Sequence, residues 1–213
     1  EVLGVPEIDE PRMLKLTQEL FGAQDPEVNR SGAEVTDSDT GLANIQATVA
    51  DFFTYFVEMT EDRRKNPRED LASVIANGEV YGKPLGHLEA MSYYIIAATA
   101  GHDTTSNTTG GALWALAENQ DQFRKLKDDL SLIPSMVEES IRWETPVKHF
   151  MRTCQEDFEL RGRTIRKGDG VCLFYWSGNR DEDVFEDPYR FDVERRPNQQ
   201  IAFGFGVHQC LGL

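Results

Sequence analysis

The chain has 213 residues, 39% hydrophobic and 10% aromatic, enough for a core and too apolar for wholesale disorder. With 22 basic against 37 acidic residues its net charge is −15, which argues against nucleic-acid binding, since displacing phosphate counterions needs a basic face. No apolar run approaches the roughly 20 residues of a membrane span; segments such as Ser92–Ala100 stop well short.

In chain order, helices come first. Met13–Phe21 carries apolar residues at helical spacing, and the polar stretch Glu27–Thr40 has no periodicity and is expected as a loop. From Gly41 a long amphipathic pattern (Leu42, Ile45, Val49, Phe52, Phe53, Phe56, Val57) predicts a helix that ends before Asn66-Pro67. Asp70–Ala76 predicts a short helix, and Asn77-Gly78 with Gly82 a small hairpin. The stretch 87–118 has no proline and is apolar almost all round, which predicts one long buried helix. Its centre, Ala100-Gly101-His102-Asp103-Thr104-Thr105, is out of character, because glycine and paired threonines weaken a helix and a buried Asp needs a partner. Gln120–Lys127 and Pro134–Trp143 are two further helices, the second with Pro in its first turn. Short strands are expected at Phe158–Leu160, Thr164–Ile165 and Gly170–Trp176, followed by an irregular segment, Gly178–Gln200.

Three cysteines (Cys154, Cys172, Cys210) with no close pair make no disulfide framework, and no signal segment opens the chain. Both point to the cytoplasm. The chain starts at Glu1 rather than Met and stops at Leu213, three residues past Cys210, so a piece of a longer polypeptide is expected.

The C-terminal run from Phe203 to Gly212 is where chemistry concentrates. Its Gly-x-Gly is no dinucleotide fingerprint, since Gln209 stands three beyond Gly206, and zinc has no Cys-x-x-Cys to start from. A single cysteine among glycines remains. Backbone N–H groups turned toward such a sulfur stabilise a thiolate, a strong ligand for iron.

Phe-x-x-Gly-x-His-x-Cys-x-Gly resembles the haem-binding loop of the cytochrome P-450 superfamily, the haem-thiolate monooxygenases. Three further motifs follow that family's order. Ala100–Thr105 resembles the oxygen-activation motif of its long central helix, Glu139-Ser140-Ile141-Arg142 its Glu-x-x-Arg helix, and Phe191–Pro197, with Arg195, its meander. The match is dense from Ala97 onward and thinner over Leu3–Gly22.

The resemblance implies a mainly α fold with small β-sheets, a single partial domain over 1–213, incomplete at both ends. It implies Cys210 as axial ligand of the iron of haem b (iron protoporphyrin IX), with Phe203, Gly206 and Gly212 in the binding loop and His208 and Arg152 at the propionates. Asp103 and Thr104 resemble the acid–alcohol pair that delivers protons to dioxygen, and Thr104 is placed to bond back to the Ala100 carbonyl. Glu139, Arg142 and Arg195 resemble a structural triad. Ile96, Ala97, Ala100, Val147 and Phe150 fall where the family lines its substrate pocket, a mostly small and apolar set that suits a compact hydrophobic substrate, terpenoid or alkane- and fatty-acid-like. Electrons are expected from NAD(P)H through a flavoprotein reductase and an iron–sulfur ferredoxin to a monomeric, bacterial-type enzyme with no membrane anchor in this segment. The acidic net charge does not help dock an acidic ferredoxin; Arg161, Arg163, Arg166 and Lys167 are the candidate basic patch. The alternative is a truncated, non-catalytic haem-protein fragment with no stable fold, and this segment alone is expected to be inactive.

Overall fold

A computed structural model describes residues 2–212; Glu1 and Leu213, the ends of the expected domain, lie outside the described residues. Helices dominate and the sheets are small. The described residues group into two compact units, one up to Asp103 and one from Thr104 onward.

The first unit holds α1 (Glu10–Phe21), α2 (Ser38–Lys65), α3 (Leu71–Ala76), a hairpin of β1 (Glu79–Val80) and β2 (Lys83–Pro84), and α4 (His87–Ala100). Local chemistry sets the helix ends. Pro11 stands in the first turn of α1, where a missing N–H costs nothing. The Asp37 carboxylate caps α2 by accepting from the Thr40 N–H at 2.8 Å, so this helix starts inside the stretch expected as loop. Asp70 caps α3 in the same way through Ser73, at 2.7 Å. At the other end, Arg63, Arg64 and Lys65 complement the α2 dipole just before Asn66-Pro67. The two residues of the hairpin turn, Tyr81 and Gly82, both have positive φ, as a tight hairpin turn requires.

The core of this unit is an aromatic stack across α2 and α4. The buried Phe56 ring lies parallel to Tyr94 at 4.8 Å and to Phe52 at 6.1 Å. The Tyr94 hydroxyl, also buried, donates to the Ala72 carbonyl at 2.8 Å, which ties α4 to α3. Phe56→Ala leaves a cavity that these stiff neighbours cannot close. The expected cost is about 3–5 kcal/mol, read as a lower denaturation midpoint in the full-length protein.

The second unit holds α5 (Asp103–Glu118, but for its first residue), α6 (Gln120–Asp128), α7 (Ile133–Glu144), strands β3 (His149–Thr153), β4 (Phe158–Leu160), β5 (Arg163–Ile165) and β6 (Gly170–Phe174), and a single turn, α8 (Tyr175–Gly178). β3 pairs antiparallel with β6 from His149↔Phe174 to Thr153↔Gly170, and β4 pairs with β5. Its core gathers Ala115, Leu116, Leu126, Phe191 and Val193, with Trp143 edge-on to Phe191 at 5.7 Å.

Two expectations are corrected. The single helix expected over 87–118 is divided into α4 and α5 at Gly101-His102, where the His102 N–H turns to the Thr99 carbonyl at 3.3 Å. Nor is it buried all round: Leu88, Ile96, Leu113 and Trp114 are exposed, Trp114 at 69%. The physical reason is that only one face of each helix has a partner within its own unit, Ala90, Met91 and Tyr94 in α4 and Ala115 and Leu116 in α5. The strand expected to reach Trp176 stops at Phe174, and β3 forms in a stretch read as pocket lining (Phe150) and as a propionate donor (Arg152).

Candidate functional site

α7 carries the most heavily bonded side chains of the second unit. Positions i and i+3 share a helix face, which brings Glu139 and Arg142 together. Arg142 grips both carboxylate oxygens, Nε to Oε2 at 2.7 Å and Nη2 to Oε1 at 2.8 Å, and both residues are 0% exposed. Its other guanidinium protons go to the carbonyls of Asn179 (2.7 Å), Pro188 (2.9 Å) and Arg190 (3.3 Å). Arg195, more than fifty residues on, donates Nε to the same carboxylate at 3.0 and 3.1 Å and bonds the carbonyls of Glu186, Asp187 and Arg190. Glu139 also accepts from the Asp192 N–H at 3.0 Å and from Asn198 at 3.3 Å. One buried carboxylate thus organises the irregular segment around two guanidinium forks.

Sequence reasoning missed Asn179. Fully buried, it donates Nδ2–H to Thr145 Oγ1 at 2.8 Å and accepts the Ile201 N–H at 2.8 Å, so it joins the end of α7 to the chain that leads into the cysteine loop. Thr145 itself caps α7 with φ 41°, a left-handed conformation costly for a β-branched residue. The only available signal for Asn179 was an Asn-Arg-Asp run inside a polar segment with no periodicity. Arg180, equally overlooked, stacks on Trp176 at 4.1 Å and Trp143 at 5.1 Å. Burial, with the nearby Arg142 charge, pulls its pKa below the usual arginine range.

The loop from Phe203 to Gly212 closes on itself. The Cys210 N–H donates to the Phe203 carbonyl at 2.9 Å, and the Gly212 N–H points at Cys210 Sγ at 3.3 Å. Gly204 and Gly206 take φ of 70° and 73°, and a Cβ on Gly204 would stand 3.2 Å from the hydroxyl of buried Tyr175. Phe205, Val207 and Leu211 expose their side chains around an exposed thiol, while Phe203 is half-buried and His208 exposed. Among the described residues no group of three or more His, Cys, Asp or Glu could hold a metal ion. Cys210 therefore offers one sulfur, supported by an N–H, in a loop that exposes apolar side chains. That donor set fits a metal already held in an apolar macrocycle.

The remaining predicted residues are placed as follows. Asp103 opens α5, where the helix dipole favours a carboxylate, and its Oδ1 lies 2.8 Å from His102 Nδ1. Thr104 follows it, and its carbonyl accepts from Thr108 at 2.8 Å. Ile96, Ala97 and Ala100 belong to α4 in the first unit; Val147 and Phe150 belong to the second, at and just before β3. Arg152 donates to the Met151 carbonyl at 2.9 Å and lies 5.7 Å from the Phe150 ring. Arg161, Arg163, Arg166 and Lys167 are exposed on and beside the β4–β5 hairpin.

A one-sulfur loop together with a buried Glu-Arg-Arg cluster, in a mainly helical chain, points to the haem-thiolate class. The chain belongs to the family described as Cytochrome P450, whose model matches residues 39–213. It is 46% identical to Cytochrome P450-terp of a Pseudomonas species over 99% of this chain and 49% of that protein. It is 37% identical to a methyl-branched lipid omega-hydroxylase of Mycobacterium tuberculosis over 100% and 48%. The structure of a Mycobacterium marinum cytochrome P450 in complex with pseudoionone matches at TM-score 0.89 and 38% identity, covering 99% of this chain and 50% of that one. The chain thus spans about half the length of the curated relatives it matches. Among the described residues no helix is long and apolar enough to cross a membrane.

Proposed function

We propose that the complete protein is a haem-dependent monooxygenase that uses dioxygen, two electrons and two protons to convert R–H to R–OH and water. The observation that carries this reading is the Cys210 loop, an exposed cysteine with an N–H aimed at its sulfur in a loop that also exposes apolar side chains. When bound, haem supplies the iron at which dioxygen is reduced and split. Cys210 would hold its iron through sulfur; Phe203, Gly206 and Gly212 would shape the loop against it, and His208 and Arg152 would donate to its propionates. Glu139, Arg142 and Arg195 hold the fold of the second unit and touch no substrate. The relatives named as a hydroxylase and a monooxygenase do not favour the alternative of a non-catalytic fragment.

The substrate is a small hydrophobic molecule, terpenoid first and alkane- or fatty-acid-like second. Ile96, Ala97 and Ala100 on α4, and Val147 and Phe150 in the second unit, are the apolar residues that each unit offers such a molecule, and the relative named for terp and the pseudoionone complex support the order. An iron–sulfur ferredoxin and its flavoprotein reductase bring the electrons from NAD(P)H, in the cytoplasm.

Asp103 takes up a proton from solvent at its carboxylate and hands it to the Thr104 hydroxyl oxygen, while that hydroxyl gives its own proton toward the oxygen under reduction. Consecutive helical side chains diverge by about 100°, so one faces water while its neighbour faces the reaction. In the full-length protein, Thr104→Ala keeps most NAD(P)H oxidation but diverts it mainly to hydrogen peroxide. Asp103→Asn instead lowers the oxidation rate and raises its solvent isotope effect. Parallel measurement of NAD(P)H, peroxide and product decides this; a fully coupled Thr104→Ala enzyme rejects the relay.

A further inference from the structure

We infer that His102 is a positioning residue for the Asp103 carboxylate, an inference that rests on the proton relay proposed above. Three observations meet at this point in the first unit. His102 Nδ1 stands 2.8 Å from Asp103 Oδ1, within the range of a charge-assisted hydrogen bond. An ionised carboxylate can only accept, so the imidazole donates its Nδ1–H. The two side chains are 45% and 30% exposed, so water reaches both, and neither is locked by packing alone.

His102 is itself fixed from below. Gly101-His102 is the break between α4 and α5, and the His102 N–H is anchored on the Thr99 carbonyl at 3.3 Å. The ring is therefore presented from a turn that does not continue the helix. Asp103 is the first residue of α5, where a short carboxylate otherwise has the option of folding back to cap the start of its own helix. A carboxylate spent on such a cap is withdrawn from proton traffic. The His102 bond occupies Oδ1 and holds the side chain away from that role, leaving Oδ2 to take up and release protons. The break in the long helix thus has a use: it places a donor beside the one carboxylate of the motif.

The test uses the full-length, haem-loaded protein with its electron donors and a substrate that produces a type I spectral shift. His102→Ala should slow NAD(P)H oxidation roughly three- to tenfold, the size of one hydrogen bond, and raise the solvent isotope effect in the same direction as Asp103→Asn. His102→Asn, whose amide can donate to the same oxygen, should recover at least half of the loss. Because His102 acts through Asp103, the double variant His102→Ala/Asp103→Asn should be no slower than Asp103→Asn alone. A readout independent of turnover is the His102 Nδ1–H signal in the 15N-histidine spectrum of the reduced, carbon monoxide-bound form. It should be visible in the unaltered protein and lost to water exchange in Asp103→Ala. If Asp103→Asn slows oxidation but His102→Ala does not, or if the two effects multiply, or if no protected Nδ1–H signal exists, the positioning role is wrong while the relay stands. If Asp103→Asn leaves the rate unchanged, the relay fails and the positioning role falls with it.

Discussion

Arg142→Ala is expected to leave no folded, haem-loaded protein. The guanidinium is wholly buried, and its removal strands Glu139 with part of its countercharge gone and deprives the carbonyls of Asn179 and Pro188 of their donor. Breaking one side of a buried ion pair costs about 3–5 kcal/mol, against a total stability of about 5–15 kcal/mol for a typical domain. The orphaned carbonyls add to that, since each loses a partner without gaining water. Arg195 still reaches Glu139 and still bonds the Arg190 carbonyl, but it cannot take over the carbonyls of Asn179 and Pro188. Arg142→Lys keeps the charge and loses the planar fork, so it should recover only part of the loss. Soluble yield, haem content and thermal midpoint of the full-length variants read this directly. A haem-replete Arg142→Ala protein with an unchanged midpoint would show that the cluster does not hold the second unit together.

Cys210→His is expected to keep part of the haem and lose both turnover and the thiolate-type Soret band of the reduced carbon monoxide complex. An imidazole ligates iron but lacks the electron donation of a sulfur anion, which is what favours O–O cleavage. The longer histidine side chain must also fit a loop closed by the Cys210 N–H on Phe203 and the Gly212 N–H on sulfur, so haem occupancy should fall as well. The same difference spectrum, recorded on the unaltered full-length protein and on this chain by itself, also tests the assignment of the class. Survival of the thiolate band in Cys210→His would remove Cys210 as the ligand.

What the sequence determined by itself was mostly local. Apolar spacing, the Pro in the first turn of α7, and Asn66-Pro67 placed the helices, because those signals act over one helical turn. The order of the motifs pointed to the family, since Glu139 and Arg142 sit three apart and Cys210 carries its glycines with it. The break at Gly101-His102 was visible as an oddity of composition, though not as an interruption, because a lone Gly weakens a helix without dictating where it ends. The tertiary structure decided the rest. Nothing local says that Arg195 reaches back to Glu139, or that Asn179, in a stretch without periodicity, becomes fully buried between Thr145 and Ile201. Apolar residues all round 87–118 indicated burial, yet Leu113 and Trp114 stay exposed, because a periodic pattern states what a face can pack against and not whether a partner is there. Long-range pairing depends on how the chain closes in three dimensions, and no short stretch of sequence carries that information.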